Sequence, residues 1–305
     1  MSPSALPWIR SGRGERRVTA ESRGLVVVRL GRDHRIHHWL GLPQEGRSWD
    51  LALSLYDEVD LPAHQPAELI HRVVGGKWDG LSQFFTEFPE VIRQYDYFWL
   101  VDDDVEATVG EVNALFAYMR ANDFDLAQPS LSLDSYYSHR LTLHCRGFSH
   151  RHTNFVELMA PMLSRHLLIN ALPLFANTRS GHGMDWMWQR LARDPGKGVA
   201  IIDAVTVRHS RPLRQHLAAR LSAAGINSVS ERERLVRDWA VQREHAYAFA
   251  GRLISGKRID SRTRLAFQML DSYWRARGQV GRPRWPLKNF LVFFLKHMFY
   301  RRIRG

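Results

Sequence analysis

Tyr95-Asp96-Tyr97-Phe98-Trp99-Leu100-Val101-Asp102-Asp103-Asp104 is the stretch that decides the fold class of this chain. Its aromatic and aliphatic run is typical of a strand buried on both faces, as in a parallel sheet. Three acids in a row are an unusual end for such a strand, because neighbouring carboxylates repel each other unless a cation offsets their charge. Two carboxylates at i and i+2, beyond the carboxyl end of a parallel strand, suit a divalent metal ion that carries a phosphate. The triplet alone is equally compatible with a solvated acidic turn.

Buried strands and amphipathic helices alternate on both sides of this stretch. Such alternation predicts an α/β fold, a mostly parallel, Rossmann-like sheet flanked by helices. The predicted strands span residues 25–31, 49–57, 95–101, 124–129 and 199–207, and the predicted helices span residues 81–94, 111–121 and 186–193.

The composition narrows the class of protein. Of the 305 residues, 45% are apolar and 24% are charged, as in a soluble globular protein rather than a disordered one. The single cysteine, Cys145, excludes an intramolecular disulfide and a multi-cysteine zinc site, and it indicates a reducing compartment. We expect a small buried thiol there, with a nucleophile as the alternative.

Residues 1–23 are rich in arginine without an apolar core, which predicts a poorly ordered basic arm and not a signal peptide. A cytoplasmic location is the resulting expectation.

The positive charge of the chain is concentrated in its last part. Residues 252–305 contain 14 Arg or Lys and two Asp, so their net charge of +12 equals that of the whole chain. A neutral body with a basic tail indicates a tether. Within this tail, residues 285–303 have the composition of a helix that lies in a membrane interface. At helical spacing its apolar side comprises Leu287, Phe290, Leu291, Phe294, Leu295, Met298 and Phe299.

Three partners are possible for this tail. Anionic lipids would attract it by about 1 kcal/mol per basic residue. Alternatively, the helix docks on the protein's own core and its charges stay solvated, or it binds nucleic acid or another protein. Nucleic acid is not expected, because the tail contains no recognisable nucleic-acid-binding motif.

The predicted organisation is a basic arm at residues 1–23, one α/β domain at residues 24–215 and a helical basic extension at residues 216–305.

Two further motifs lie in the second half of the chain. In Ser180-Gly181-His182-Gly183-Met184-Asp185-Trp186-Met187-Trp188 a glycine loop leads into a predicted helix, so Asp185 lies near the positive end of the helix dipole. This residue is either a functional acid or only a helix cap. The predicted strand at residues 199–207 is followed by Arg208-His209-Ser210-Arg211-Pro212. At the sheet edge that carries the acid triplet, His209 is a candidate metal ligand, and a structural histidine is the alternative.

This ordered set of motifs resembles the nucleotide-sugar glycosyltransferases of the GT-A fold. More narrowly, residues 95–105, 181–188 and 201–212 resemble an uncharacterised glycosyltransferase-like family shared by bacteria and plants, the seven-hundred-and-seventh domain of unknown function. The resemblance covers roughly residues 24–215 and implies a GT-A-like fold with an Asp-X-Asp metal motif. The basic arm and the extension lie outside it.

The resemblance implies roles at the acid triplet and at the late histidine. Asp104 is expected to bind Mn²⁺ or Mg²⁺ directly, and Asp102 is expected to contact the donor ribose or the metal. Asp103 joins the donor-binding set, because the metal-binding pair can also be read with a shift of one residue. His209 matches the late metal ligand.

The resemblance also implies roles outside the triplet. Asp57, after the second strand, is expected to bind the nucleoside of the donor. Lys77, in the loop before the long helix, is expected to reach its base or phosphate, with a solvated lysine as the alternative. Asp185 matches the acid that activates the acceptor. The rings of Trp186 and Trp188 are expected to stack on the acceptor sugar, although core packing explains these tryptophans as well.

The implied function is a metal-dependent glycosyltransferase that moves a sugar from a nucleotide-sugar donor to a glycan or lipid-linked acceptor. With the basic tail, we expect a peripheral enzyme of cell-surface polysaccharide synthesis on the inner face of the cell membrane. Inversion is expected if Asp185 is the base, and retention stays open if Asp185 binds the donor sugar. One alternative is a phosphohydrolase or phosphotransferase that uses the same acids. Another is a non-catalytic, membrane-associated scaffold in polysaccharide assembly.

Overall fold

The computed structural model describes residues 24–36, 46–62, 67–212, 225, 227–240, 245–279 and 287–299. The basic arm predicted for residues 1–23 lies outside the described residues. The described strands are β1 Gly24–Leu30, β2 Asp50–Leu55, β3 Leu69–Arg72, β4 Tyr97–Asp102, β5 Val105–Glu106, β6 Leu126–Leu131, β7 Phe148–Thr153, β8 Met162–Ser164, β9 Val199–His209, β10 Ala248–Leu253 and β11 Arg258–Ile259. The described α-helices are α1 Lys77–Glu87, α2 Pro89–Gln94, α3 Val109–Asn122, α4 Arg165–Ala176, α5 Ser228–Asp238, α6 Arg262–Arg275 and α7 Leu287–Phe299.

The strands form a mixed sheet in the order β11-β10-β7-β9-β6-β8-β4-β1-β2-β3, and β5 pairs with β9 beside this path. Strands β1, β2, β3, β4, β6, β9 and β10 run in one direction, whereas β7, β8 and β11 run against them. The predicted α/β architecture with a mostly parallel sheet is therefore confirmed.

Strand β1 shows why the central strands have continuous apolar runs. Leu25 and Val27 belong to the core on one face of the sheet, which also includes apolar residues of α1, α2 and α4. Val26 and Val28 belong to the core on the other face, together with residues of α3, α6 and α7. A strand covered on both faces favours apolar side chains at successive positions, and in β1 the buried Arg29 is the exception.

Two helix predictions differ from the structure. The helix predicted for residues 81–94 starts earlier, at Lys77, and Pro89 divides it into α1 and α2, because proline has no N–H to continue the ladder. The helix predicted for residues 186–193 was wrong: this segment forms two short 3₁₀ turns, Met184–Trp186 and Trp188–Leu191. There the buried Gln189 side chain donates to Trp186 O at 2.6 Å and so satisfies a carbonyl of the first turn.

The extension predicted for residues 216–305 is not purely helical. Strand β10 pairs antiparallel with β7, and β11 pairs with β10, so this part of the chain lengthens the sheet. Strand β10 covers the edge of β7, whose backbone N–H and C=O groups would otherwise be unpaired. The sheet therefore continues beyond the boundary predicted at residue 215.

The predicted amphipathic helix at the end of the chain is present as α7, and it docks on α6. Three ring pairs join the two helices, with centroid distances of 5.4 Å for Tyr273–Phe293, 5.3 Å for Trp274–Phe290 and 4.8 Å for Phe267–Phe294. The alternative of docking on the protein's own core is thus realised. None of the described helices combines the length and the apolar character needed to cross a bilayer.

Docking uses only part of the predicted apolar side of α7. Phe290, Phe293 and His297 are buried, so the inward face includes two residues, Phe293 and His297, that are not on the predicted apolar side. Leu291 and Phe299, predicted on the apolar side, are 58% and 69% exposed. The side of the helix that faces inward is set by the shape of the α6 surface and not by the apolar pattern alone.

Acid should weaken the docking of α7 through His297. Burial, with the nearby charges of Arg151, Arg262 and Lys296, lowers the pKa of this histidine to about 4. The unfolded chain therefore binds the proton first as the pH falls below about 6.5, and stability is lost between that pH and about 4. From pH 7 to pH 5 we expect a loss of about 2 kcal/mol from this group.

The measurement is urea unfolding at pH 7 and pH 5 for the wild type and for His297→Asn. The asparagine keeps a side-chain N–H but does not titrate, so its variant should lose about 2 kcal/mol less between the two pH values. Equal losses in both proteins would mean that other buried histidines carry the effect.

Candidate active site

The carboxyl ends of neighbouring parallel strands bring most of the predicted site residues to one edge of the sheet. In the register of the sheet, Arg29 of β1 lies opposite Asp102 of β4 on one side and Ser54 of β2 on the other. Strand β5 runs antiparallel to the end of β9 and pairs Val105 with His209. These pairings place the acid triplet, the end of β2 and the predicted late histidine side by side.

Lys77 and Asp102 form a close ion pair at this edge. Lys77 is the first residue of α1, and its Nζ lies 2.6 Å from Asp102 Oδ1 and donates to Leu158 O at 2.7 Å. Burial lowers the pKa of Lys77, and the charge of Asp102 opposes that shift. Burial likewise raises the pKa of Asp102 against the effect of Lys77. Lys77 thus supplies the cation that the triplet was expected to need.

Arg29 positions the loop that leads to Lys77. This buried arginine donates to Ser54 Oγ at 2.9 Å, to Val73 O at 3.1 Å and to Gly75 O at 3.0 Å. Burial lowers the pKa of Arg29 to about 10. It remains charged at neutral pH, and its bonds to backbone carbonyls fix the start of α1 against β1 and β2.

Asp103 has a structural environment. Its Oδ2 accepts hydrogen bonds from Gly31 N at 3.0 Å and from Tyr56 Oη at 3.1 Å, which ties together the chain segments after β1, β2 and β4. Burial, with the charge of Asp104, raises the pKa of Asp103 to about 6. Its donor-binding role remains a prediction, and the structure gives it the additional task of joining three strand ends.

Asp104 faces two cationic groups. His209 Nε2 lies 3.3 Å from Asp104 Oδ1, and Arg211 Nε lies 3.7 Å from Asp104 Oδ2. Although burial alone raises it, the pKa of Asp104 is lowered, chiefly by its ion pair with His209. Burial opposes charge on His209 as well, yet Asp104 raises the pKa of His209 to about 9. Arg211 also lies 3.7 Å from Asp103 Oδ1 and was given no role in the sequence prediction.

The predicted metal ligands are only partly assembled. Within the described ranges, no group of three or more His, Cys, Asp or Glu side chains is spaced to hold a metal ion by itself. Asp102 is turned to Lys77, whereas Asp104 and His209 lie together. Mg²⁺ is commonly held by one or two carboxylates, with phosphate oxygens of the substrate completing its coordination.

Two features of this pair fit such a cation. Asp104 Oδ1 is buried, and no described residue gives it a well-directed hydrogen bond. His209 Nδ1 donates to Tyr136 O at 2.8 Å, which leaves Nε2 on the side of Asp104. A backbone carbonyl on the other ring nitrogen is the usual support of a metal-binding histidine.

The remaining predicted residues are less closely joined to the triplet. Asp57 lies beyond the end of β2 and pairs with Arg32 at 3.6 Å. Asp185 lies in the Met184–Trp186 turn, which follows Gly183 with a φ of 100°. At Gly181 a Cβ would lie 2.1 Å from Trp78 Nε1, so only glycine allows this loop to approach α1.

The two predicted acceptor tryptophans have different environments. Trp188 is fully buried, and its ring centroid lies 5.7 Å from that of Trp78. The predicted acceptor contact of Trp188 was therefore wrong, because no sugar can reach a ring inside the core. Trp186 is only half-buried, lies against Arg232 at 6.0 Å and lines a cavity. It remains a candidate for sugar stacking.

Glu157 is a site residue that the sequence prediction missed. It is 5% exposed, and neither carboxylate oxygen has a hydrogen bond of ordinary geometry to the residues that the structure describes. Burial raises its pKa to about 7, the positive His209 opposes this shift, and Asp185 adds to it. The pKa of Glu157 therefore responds both to His209 and to Asp185. Its signal in the sequence was an isolated acid inside the apolar run Phe155-Val156-Glu157-Leu158-Met159.

The comparison with protein families decides the family of this chain. The model of a family described as "Protein of unknown function (DUF707)" matches residues 70–253, more than half of the chain. The chain belongs to this family. The matched segment of the DUF707 chain contains Lys77, the acid triplet, Glu157, Asp185 and His209. No match was found among curated proteins.

Solved structures with a related shape were also found for the DUF707 chain. One is S. aureus TarS 1-349 in complex with UDP-GlcNAc, at 9% identity and a TM-score of 0.46, covering 90% of this chain and 81% of that chain. TarS 1-349 alone gives 9% identity and a TM-score of 0.42, covering 91% and 81%. A mycobacterial protein gives 15% identity and a TM-score of 0.38, covering 69% and 77%.

Proposed function

We propose that this chain is a metal-dependent glycosyltransferase that moves a sugar from a nucleotide-sugar donor to a glycan or lipid-linked acceptor. The observation that carries the proposal is the meeting of Lys77, Asp102, Asp104 and His209 at the carboxyl edge of the parallel strands. That edge is where open α/β sheets bind their ligands. Carboxylates beside a histidine and a lysine suit a diphosphate with its cation.

The donor would occupy the space over the triplet. Asp104 and His209 would hold Mn²⁺ or Mg²⁺, with Asp102 as a further ligand when Lys77 moves to the diphosphate. When bound, the ion neutralises the charge that develops on the leaving diphosphate. Lys77 and Arg211 add positive charge on the same side. Asp57 would bind the nucleoside.

Asp185 would serve as the base on the acceptor side. It takes the proton of the attacking hydroxyl, whose oxygen bonds to the anomeric carbon of the donor sugar. The bond from that carbon to the diphosphate oxygen breaks, and the nucleoside diphosphate leaves with the electron pair. An attack from the face opposite the diphosphate inverts the configuration. Glu157, whose pKa burial raises to about 7, would be the neighbouring carboxyl to which this proton passes.

Calorimetric titration tests the donor proposal. UDP-, GDP-, CMP- and dTDP-sugars are titrated into the wild type with and without Mn²⁺. We expect one nucleotide to bind and its affinity to depend on the metal. Hydrolysis of the donor at the same rate with and without an acceptor would favour a phosphohydrolase. Absence of binding across the panel would favour the non-catalytic scaffold.

A peripheral membrane location belongs to the same proposal. The outward side of α7 exposes Leu291, Val292, Leu295 and Phe299, and Lys288 and Lys296 lie on the same helix. An apolar surface flanked by basic residues suits the interface of an anionic bilayer. This location would bring the enzyme to lipid-linked acceptors on the inner face of the cell membrane.

Replacing Leu291 and Phe299 by aspartate should release the protein from vesicles that contain anionic lipid. Both side chains are exposed, so the fold should remain intact, while the lost apolar area and the added charge should weaken vesicle binding at least about tenfold. Ile169→Asp is the matched control, because this exposed residue lies on α4, on the other face of the sheet. Sedimentation with vesicles measures the effect. Unchanged sedimentation of the double variant would refute the membrane contact.

A further inference from the structure

A cavity of about 290 Å³ lies between α7 and the main body of the protein. Aromatic side chains form part of its wall, namely Tyr137, Phe155 and Trp186. Rings of this kind commonly pack against the apolar faces of ligands. The cavity is separate from the donor residues of the acid triplet, none of which lines it.

Charge in the wall favours an anionic ligand. Arg140 and Lys296 line the cavity, and its described lining contains no Asp or Glu. A concave site lined by one sign of charge attracts ligands of the opposite sign. Arginine and lysine together are the usual partners of a phosphate group.

His297 adds a hydrogen-bonding atom to this wall. It is 1% exposed, and its Nδ1 donates to Phe293 O at 2.8 Å. Burial lowers its pKa to about 4, so the ring is neutral near pH 7 and its Nε2 is an acceptor. In the described part of the chain this Nε2 has no hydrogen-bond partner. A buried acceptor without a donor is suited to a hydroxyl group brought by a ligand.

The lining of the cavity includes direct sequence neighbours of candidate site residues. Trp186 directly follows Asp185, and Tyr137 directly follows Tyr136, whose carbonyl holds His209. Ser138 lines the cavity and also stabilises the charged form of Glu157. A ligand in the cavity would therefore lie next to the acids proposed to receive the proton of the acceptor hydroxyl.

We propose that this cavity binds the acceptor as a phosphorylated sugar, with its phosphate on Arg140 and Lys296, its ring against Trp186 and a hydroxyl on His297. This inference rests on the proposed function, because it names the acceptor of that reaction. The phosphate belongs either to a free sugar phosphate or to a sugar phosphate linked to a lipid chain. The exposed apolar side of α7 lies beside the cavity, since Val292 belongs to both.

The test is calorimetry of the full chain with glucose 1-phosphate, dodecyl glucosyl phosphate and methyl glucoside. We expect both phosphates to bind and the neutral glucoside to bind at least about tenfold more weakly. Preference for the dodecyl compound indicates a lipid-linked acceptor, and equal affinity indicates a free sugar phosphate. Failure of both phosphates to bind, or equal binding of the neutral glucoside, overturns the proposal.

Two lysines of α7 provide a matched pair of variants. Lys296 lines the cavity, whereas Lys288 is exposed on the same helix outside it. Lys296→Gln and Arg140→Gln should each weaken phosphate binding about tenfold, the usual effect of losing a charge-assisted hydrogen bond, and Lys288→Gln should change it less than about twofold. Equal effects of Lys288→Gln and Lys296→Gln would mean that the positive surface of the helix attracts phosphate in general. That result would overturn the assignment of the phosphate to the cavity.

Asp104→Asn separates this proposal from the proposed function. Sugar phosphate binding should survive in this variant, and its loss would place the ligand in the donor site and overturn the cavity assignment. If no nucleotide sugar binds the wild type but sugar phosphates bind with the expected variant pattern, the transferase proposal fails and the cavity remains a phosphate site. If nucleotide sugars bind and sugar phosphates do not, only the cavity assignment fails.

Discussion

Asparagine in place of Asp104 should reduce metal-dependent donor binding, and with it glycosyl transfer, by at least about 100-fold. The substitution keeps the shape of the side chain but removes the charge that faces His209 and Arg211. Without that carboxylate the cation loses its anionic ligand, and the positive charge of Arg211 beside it is no longer balanced. Both effects act directly on the donor complex, so we expect this single atom change to be the most severe for activity.

The measurement is titration of the donor identified in the nucleotide panel, with and without Mn²⁺, followed by a transfer assay. Asp134→Asn is the matched control, because Asp134 is exposed and pairs with Arg208 and Ser132 near the same end of β9. The control should bind the donor as the wild type does. Metal-dependent binding that persists in Asp104→Asn would exclude Asp104 as a ligand. Asp102 and Asp103 would then be the candidate metal ligands.

Replacement of Arg151 by methionine should cost about 3–5 kcal/mol of stability. Arg151 on β7 is fully buried and forms two hydrogen bonds with Asp203 on β9, at 2.7 and 2.9 Å. Its other N–H groups donate to Leu141 O, Leu143 O and Tyr273 Oη, each at 2.9 Å. The variant would leave the buried Asp203 carboxylate without its counter-charge, which is the reason for the large expected loss.

Urea unfolding of Arg151→Met, Asp203→Leu and the double variant measures this network. The double variant removes both charges and should recover part of the loss, although the carbonyls of Leu141 and Leu143 would still lack their donor. Arg252→Met is the control, since this arginine is exposed on the neighbouring strand β10. A loss below about 1 kcal/mol in Arg151→Met would show that water or a rearranged partner compensates the carboxylate.

The central strands were predictable because their pattern is local. Every residue from Gly24 to Leu30 is buried, as this apolar run, interrupted by Arg29, indicated. The same holds for Tyr97 to Val101, whereas Asp102 at the end of that strand is half-buried. Strand ends in a parallel sheet meet at one edge, so the meeting of the triplet and His209 also followed from strand direction.

Chain segments whose state depends on distant partners were not predictable. The segment after Gly183 has a helical pattern, yet it forms two 3₁₀ turns. In this conformation Trp188 is buried against Trp78. Glu157 was not predicted as a site residue, because its burial near His209 and Asp185 arises only when the chain folds. The buried pair of Arg151 and Asp203 is 52 residues apart in sequence, and nothing local indicates that they meet.

The sequence by itself determined the α/β architecture, the acid triplet at a strand end and the amphipathic character of the last helix. Each of these depends on the periodicity or the order of nearby residues. Periodicity determines which side chains are buried, and the order of strands determines which strand ends meet. Only the tertiary structure decided that Lys77 pairs with Asp102, that Trp188 is a core residue and that α7 turns Phe293 and His297 inward. These outcomes depend on side-chain packing between segments far apart in the chain, and the local pattern is compatible with several such packings.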